Sequence, residues 1–70
     1  SLAVLVPVLA FAGPPVPSPA AKAAFDRGEK ALEGGQFDAA AAAYQDALKA
    51  TPGYPAAMNG LGSALFKLNK

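Results

Sequence analysis

Two stretches of helical periodicity lie 34 residues apart, and this spacing constrains the fold more than any other feature of the chain. At that offset Gly28 pairs with Gly62, and Leu32 pairs with Phe66. Further matches join Ala31 with Leu65, Ala23 with Ala57 and Lys22 with Ala56. A fixed period of this length indicates a repeated helical unit.

The apolar spacing predicts that a first helix runs from about Lys22 to the glycine pair Gly34-Gly35, which gives a stop signal. Its apolar stripe is Ala24, Phe25, Gly28, Ala31 and Leu32. A second helix begins around Asp38, which we expect to cap the first turn, and runs to Thr51-Pro52-Gly53. Its stripe is Phe37, Ala40, Ala41, Tyr44, Ala47 and Leu48.

A third helix is predicted to open at Pro55, because proline suits the first turn of a helix. Its apolar set is Met58, Leu61, Gly62, Leu65 and Leu68. The predicted architecture is all-α: an antiparallel helix–turn–helix followed by a third helix.

The first 21 residues differ in character from the rest, because all six basic and all five acidic residues fall between Lys22 and Lys70. Residues 2–12 form an apolar run with the length of a secretory h-region, shorter than the roughly 20 residues that span a bilayer. The run is compatible with a truncated signal peptide, the end of a membrane-anchor helix, or an apolar element packed into a soluble fold. Since Ser1 follows no initiator Met or basic segment, we expect sequence upstream of it.

Two patterns of small residues are candidate sites for a signal-type peptidase. Ala10-Phe11-Ala12 predicts a cut after Ala12, and Ser18-Pro19-Ala20 is a weaker candidate. The prolines of residues 13–20 favour an extended linker. The predicted organisation is therefore residues 1–12 as h-region or anchor end, 13–20 as linker, 21–54 as a complete repeat and 55–70 as the first helix of a second.

Composition excludes several kinds of chemistry. The chain has no Cys and no His, which rules out disulfides, thiolate catalysis, imidazole bases and the usual zinc sites. A net charge of +1 provides no basic patch for nucleic acid. About 50 residues outside the leader are too few for a large catalytic core. We expect no enzyme activity, metal or cofactor.

The 34-residue period and its key positions resemble the tetratricopeptide repeat. The phrase from Gly35 to Lys49 is similar to the turn and second helix of that family, and Leu61-Gly62 matches its Leu-Gly pair. The matching structural positions are Gly28, Ala40, Tyr44, Ala47, Pro52, Leu61 and Gly62.

Two departures from the family pattern occur in the first repeat: Ala24 stands where a large aromatic is common, and Arg27 where Leu is expected. They suggest a weakly packed outer face, as in a capping repeat. We also expect Gly28 and Ala40 to face each other at the closest approach of their helices, and Tyr54-Pro55 to fix the angle between repeats.

The resemblance implies a concave groove, lined by the first helix of each repeat, that binds a peptide or a partner helix. The residues it assigns to this groove are Lys22, Phe25, Asp26, Glu29, Leu32, Glu33, Asn59, Gly60, Ser63, Phe66 and Lys67. An ordinary solvated face also explains the charges, with Asp26 and Lys30 as a surface ion pair. Glu29 and Glu33 would repel the acidic C-terminus of a partner protein.

The predicted function is a protein-interaction scaffold or adaptor of an exported (periplasmic or extracellular) or membrane-tethered protein. The alternative is a docking accessory of an enzyme or transporter that lies outside this sequence. Because arrays of this kind need about three repeats for stability, we expect further repeats after Lys70, or self-association.

Overall fold

The computed structural model describes residues 13–69, which form three α-helices and, within that range, no strand. The helices are α1 (Pro19–Glu33), α2 (Phe37–Ala50) and α3 (Pro55–Leu68). α2 packs against both other helices, and α1 and α3 also contact each other. The predicted all-α architecture is confirmed. The apolar run at residues 1–12 lies outside the described residues.

α1 begins earlier than predicted, at Pro19, so the last two residues assigned to the linker belong to the helix. Ser18 is the N-cap, and its Oγ accepts a hydrogen bond from the Ala21 amide at 3.1 Å. Proline is accommodated directly after the cap because it has no N–H to leave unpaired. A proline-rich composition therefore concealed a helix start.

α1 ends at the predicted glycine pair. Gly35 has φ +77°, a left-handed conformation that glycine adopts without steric cost. Its amide donates to the Leu32 carbonyl at 3.1 Å, and the Gln36 amide donates to the Ala31 carbonyl at 2.8 Å. This pair of bonds is a Schellman motif, which satisfies the last carbonyls of the helix.

α2 begins at Phe37, and the expectation that Asp38 caps it is wrong. Gln36 occupies the N-cap position without a side-chain hydrogen bond, while Asp38 lies inside the first turn. A carboxylate there still interacts favourably with the positive end of the helix dipole.

The core consists mainly of alanine, with Tyr44 as the largest fully buried side chain. Its ring lies against glycines of both neighbouring helices: a Cβ on Gly28 would approach its Cε1 to 2.7 Å, and a Cβ on Gly60 would meet the same atom. The expectation that Gly28 faces Ala40 is therefore corrected, because the Tyr44 ring supplies the atoms nearest to Gly28. Ala40 and Ala47 are buried elsewhere along α2.

α3 buries a different side from the one its large apolar residues mark. Ala57, Gly60 and Ala64 are buried, because only small side chains allow α3 to approach α2 over the Tyr44 ring. Leu61 is half-buried. The remaining predicted residues form what we call the α3 apolar band, with fractional exposures of 53% for Met58, 43% for Leu65 and 42% for Leu68, and with open space around Gly62.

Residues 15–18, which we call the strap, contact the turn between α2 and α3. The Ser18 amide donates to Oγ1 of Thr51 at 3.0 Å, and the Thr51 hydroxyl donates to Oγ of Ser18 at 3.3 Å. A Cβ on Gly53 would lie 3.5 Å from Cγ of Pro15. The end of the predicted linker is thus attached to the repeat.

Candidate functional site

The predicted groove residues of α1 divide into exposed charges and half-buried anchors. Lys22, Asp26 and Glu33 are exposed. Phe25, Glu29 and Leu32 are half-buried, and both Phe25 and Leu32 pack against the core. The α1 side of the candidate face therefore combines solvated charges with apolar side chains that cannot move independently of the core.

On α3 the exposed residues of the predicted groove are Asn59, Ser63, Phe66 and Lys67. Gly60 is not available to a ligand, because it is buried against the Tyr44 ring. The Lys67 ammonium lies 5.9 Å from the ring centroid of Phe37, at the start of α2. Asn59 and Ser63 are exposed polar residues near the middle of α3.

Tyr44 links the core to the candidate face through its hydroxyl, which donates to Oε2 of Glu29 at 2.8 Å. Burial of the ring, followed by this hydrogen bond and by the negative charges of Glu29 and Glu33, raises the pKa of Tyr44 to about 12. The hydroxyl therefore stays protonated at neutral pH and acts as a fixed donor. Glu29 is held in one position by a residue that the sequence assigned only to packing.

Phe25 lies between two tyrosine rings where α1 approaches the start of α3. Its centroid is 5.8 Å from that of Tyr44 and 5.5 Å from that of Tyr54, with tilted rings in both pairs. Such offset aromatic contacts contribute about 0.5–1.5 kcal/mol each beyond area burial. Tyr54 is buried, as its predicted packing role requires. The sequence placed Phe25 both in the apolar stripe of α1 and in the groove, but it did not predict that the Phe25 ring would lie between Tyr44 and Tyr54.

The exposed charges form a different ion pair from the one predicted. Within residues 13–69 the ion pair joins Arg27 to Asp46 across α1 and α2 at 3.3 Å, and Asp26 does not pair with Lys30. Both partners are more than half exposed, so the pair contributes about 0–1 kcal/mol. Asp26 and Lys30 remain solvated.

Among residues 13–69 no group of three or more acidic side chains is placed to hold a metal ion. The same residues enclose no pocket. None of the three described helices has the length and apolar character needed to cross a membrane.

α1 and α3 are related by the 34-residue period, and both pack on the helix between them, α2. This arrangement defines a helical-repeat scaffold. The chain belongs to the tetratricopeptide repeat family, which it matches over residues 25–70. No curated protein and no solved structure matches the chain. Tetratricopeptide repeats are typically non-catalytic modules that bind protein partners.

Proposed function

We propose that the face formed by α1 and α3 binds an extended peptide or a helix of a partner protein. The observation that carries the proposal concerns two half-buried residues of α1, Phe25 and Glu29, which we call the seam. The buried Tyr44 contacts Phe25 with its ring and donates a hydrogen bond to Glu29. Exposed polar groups flank the seam on both sides, with Asp26 and Glu33 on α1 and Asn59 on α3.

Rigidity makes this seam suitable for recognition. A surface binds more tightly when its groups are already in their bound positions, because less conformational entropy is lost. Glu29 is fixed by its bond to Tyr44, and Phe25 is fixed between two rings. Fixed polar groups set the register of a bound segment, while Phe25 and Leu32 supply apolar contact.

The test uses selection of binders from a displayed library of random 12-residue peptides against the protein. Affinity of selected peptides is then measured for Asn59→Arg and Ser63→Arg, which place bulk on the α3 side of the face. Gln45→Arg is the matched control, because Gln45 is also exposed but lies on α2.

We expect each α3 substitution to weaken binding by about tenfold or more, equivalent to about 1.4 kcal/mol, and the control to change it less than about twofold. Circular dichroism of all three variants checks that the fold is intact. Peptides whose affinity depends on Gln45 and not on Asn59 or Ser63 would move the binding surface to α2 and contradict the proposal.

We further propose that the protein is exported, to the periplasm or the cell exterior, or tethered to a membrane through residues 2–12. The support is compositional: an uncharged apolar run followed by prolines and then by a charged domain. Fractionation of the full-length protein tests this. A shortened product in the exported fraction supports export, an uncleaved product in membranes supports a tether, and an uncleaved cytosolic product contradicts both.

We also propose that another helix covers the α3 apolar band, from a further repeat or from a second copy. The support comes from the 34-residue equivalence: Gly62 corresponds to Gly28, and Gly28 is covered by the Tyr44 ring. Sedimentation of the 70-residue chain beside a chain extended past Lys70 tests this. If the 70-residue chain associates and the extended chain stays monomeric, the extension covers the α3 apolar band. If both chains are monomeric and the band stays exposed, the proposed coverage is contradicted.

A further inference from the structure

The seam combines an aromatic ring with a carboxylate one helical turn further along α1. Phe25 and Glu29 are four residues apart, so their side chains are neighbours on the same side of the helix. The Phe25 ring is held between two tyrosine rings, and Oε2 of Glu29 accepts the hydrogen bond of the Tyr44 hydroxyl. Among residues 13–69 this hydroxyl is the only donor to the carboxylate, which leaves Oε1 able to accept from a ligand.

A second carboxylate, that of Glu33, adds negative charge at the same place. The pKa of Tyr44 is raised first by burial, then by the hydrogen bond and charge of Glu29, and also by the charge of Glu33. Both carboxylates therefore lie close enough to act on one hydroxyl. Glu33 follows Glu29 by one turn of α1 and is exposed. Like charges one turn apart repel each other, and a cation between them relieves that repulsion.

The basic residues of α1 do not neutralise these two carboxylates within the described range. The ion pair found there joins Arg27 to Asp46 on α2. Lys22 and Lys30, the other basic residues of α1, are exposed and form no ion pair with residues 13–69. α3 contains no acidic residue. The negative charge of the face formed by α1 and α3 is thus concentrated on α1, beside the seam.

We propose that the partner segment bound by this face carries an arginine whose side chain lies on the seam. The inference rests on the proposed function and specifies the chemistry of the partner. The methylene groups of the arginine contact the Phe25 ring, and its guanidinium donates to Glu29 and Glu33. Arginine suits the seam better than lysine, because a guanidinium presents several donors in a planar fork and packs on aromatic rings, whereas an ammonium is a strongly hydrated point charge.

The position of Glu29 distinguishes the seam from an ordinary surface charge. Ion pairs between exposed side chains contribute little, because water and salt screen them and both side chains must be ordered. Glu29 is half-buried and is already ordered by its bond to Tyr44. An arginine that pairs with it therefore loses less entropy, and salt screens the pair less than it would at an exposed carboxylate.

The first experiment extends the selection from the displayed peptide library. We expect the highest-affinity peptides that depend on Asn59 or Ser63 to contain arginine. Replacing that arginine by glutamine should weaken binding by about tenfold or more, because the charge-assisted bonds are lost. Replacing it by lysine should weaken binding by about threefold, because the charge is kept and the fork is lost. Fluorescence anisotropy with labelled peptides measures each affinity.

The second experiment changes the protein. Glu29→Gln and Glu33→Gln remove charge while keeping side-chain size, and each should weaken the arginine peptide by about fivefold or more. The same variants should bind the glutamine peptide within about twofold of the parent. Asp38→Asn is the matched control, because it removes an exposed carboxylate from α2 and should change neither affinity by more than about twofold.

Thermal melts check that the variants are folded. Glutamine at position 29 can still accept from Tyr44 through its amide oxygen, so Tm should stay within about 3 °C of the parent value. If Glu29→Gln melts at a lower temperature, Glu33→Gln decides the outcome alone, because that side chain is exposed.

The outcomes separate this inference from the proposal on which it rests. Peptides that depend on Asn59 or Ser63 but lack arginine, or that bind both glutamate variants as tightly as the parent, would overturn the arginine site and leave the peptide-binding face intact. An equal loss for Asp38→Asn would assign the effect to general charge attraction and would also overturn the site. Peptides that ignore both α3 substitutions would contradict the face and the inference together.

Discussion

α1 and α3 occupy equivalent places in the 34-residue repeat, yet they bury opposite sides. α1 places Ala24 and Gly28 against α2 and exposes Ala23, Asp26 and Lys30. α3 buries Ala57, Gly60 and Ala64, which correspond to those three exposed residues, and exposes the α3 apolar band.

The difference shows that each first helix of the repeat has two packing sides and that α2 uses one side of each neighbour. The side that α1 leaves open is charged, whereas the side that α3 leaves open is apolar. One end of the helical stack is therefore suited to solvent and the other to further packing. Tyr44 contacts both helices, so substitutions around it probe the comparison directly.

The largest expected effect comes from Tyr44→Ala. Its ring is the shared contact of both helices, and removing a buried aromatic costs about 3–5 kcal/mol. Because small domains have only about 5–15 kcal/mol of stability, the variant should be largely unfolded by circular dichroism at 37 °C. A cooperative melt within a few degrees of the parent would show that α1 and α3 hold to α2 without the ring.

The next effect is alkaline destabilisation through the same residue. Tyr44 has a pKa of about 12 in the folded protein against 10.0 for the free side chain. The folded state holds the proton more tightly, so this stabilisation is complete below pH 10 and is lost as the pH rises through 12. Two pKa units correspond to about 3 kcal/mol at most.

The measurement is the free energy of unfolding in urea between pH 8 and pH 12, compared with Tyr44→Phe. That variant should lose about 1 kcal/mol at neutral pH with the hydrogen bond to Glu29. Between pH 8 and pH 12, Tyr44→Phe should lose less free energy of unfolding than the parent protein. Parallel curves for both proteins would assign the alkaline effect to other groups.

A pair of glycine substitutions on α3 tests the two sides of one helix. Gly60→Ala should destabilise by about 1–2 kcal/mol, because the new methyl meets the Tyr44 ring and outweighs the better helix propensity. Gly62→Ala has open space and should stabilise by about 0.5–1 kcal/mol. Thermal melts of both variants check the signs. Two equal shifts would mean that α3 does not present distinct sides to α2 and to solvent.

The smallest effect is expected for Met58→Gln on the α3 apolar band. Met58 is 53% exposed, so the 70-residue chain should change by less than about 0.5 kcal/mol. In a chain extended past Lys70, a covering helix would raise the cost to about 1–2 kcal/mol, because the methionine would then be buried. Equal costs in the two chains would leave the band uncovered in both.

Much of the fold could be predicted from the sequence, because the signals concerned are local. The stop at Gly34-Gly35 depends on one left-handed residue, and the family resemblance rests on positions in fixed register. The start at Pro19 was missed because proline is common both in extended linkers and at helix starts. The cap that Ser18 forms with the Ala21 amide is a local signal of a helix start, and the contact between Ser18 and Thr51, which is distant in sequence, holds this end of α1 to the repeat.

The buried side of α3 could not be predicted from hydrophobicity. Apolar periodicity selects large side chains, and these mark the α3 apolar band; close approach to α2 instead selects Ala57, Gly60 and Ala64. The candidate face was similarly incomplete, because the bond between Tyr44 and Glu29 joins two helices whose relative rotation no local pattern specifies. The groove residues therefore remain predictions, with Gly60 removed from them.

The aromatic cluster of Phe25, Tyr44 and Tyr54 also gives the protein a built-in optical reporter. The chain has no tryptophan and only two tyrosines, and both lie in the aromatic cluster around Phe25. The tyrosine signal in near-ultraviolet circular dichroism thus arises at the place where α1, α2 and α3 meet. Loosening of this junction can be followed in the unlabelled protein while the helices themselves stay intact.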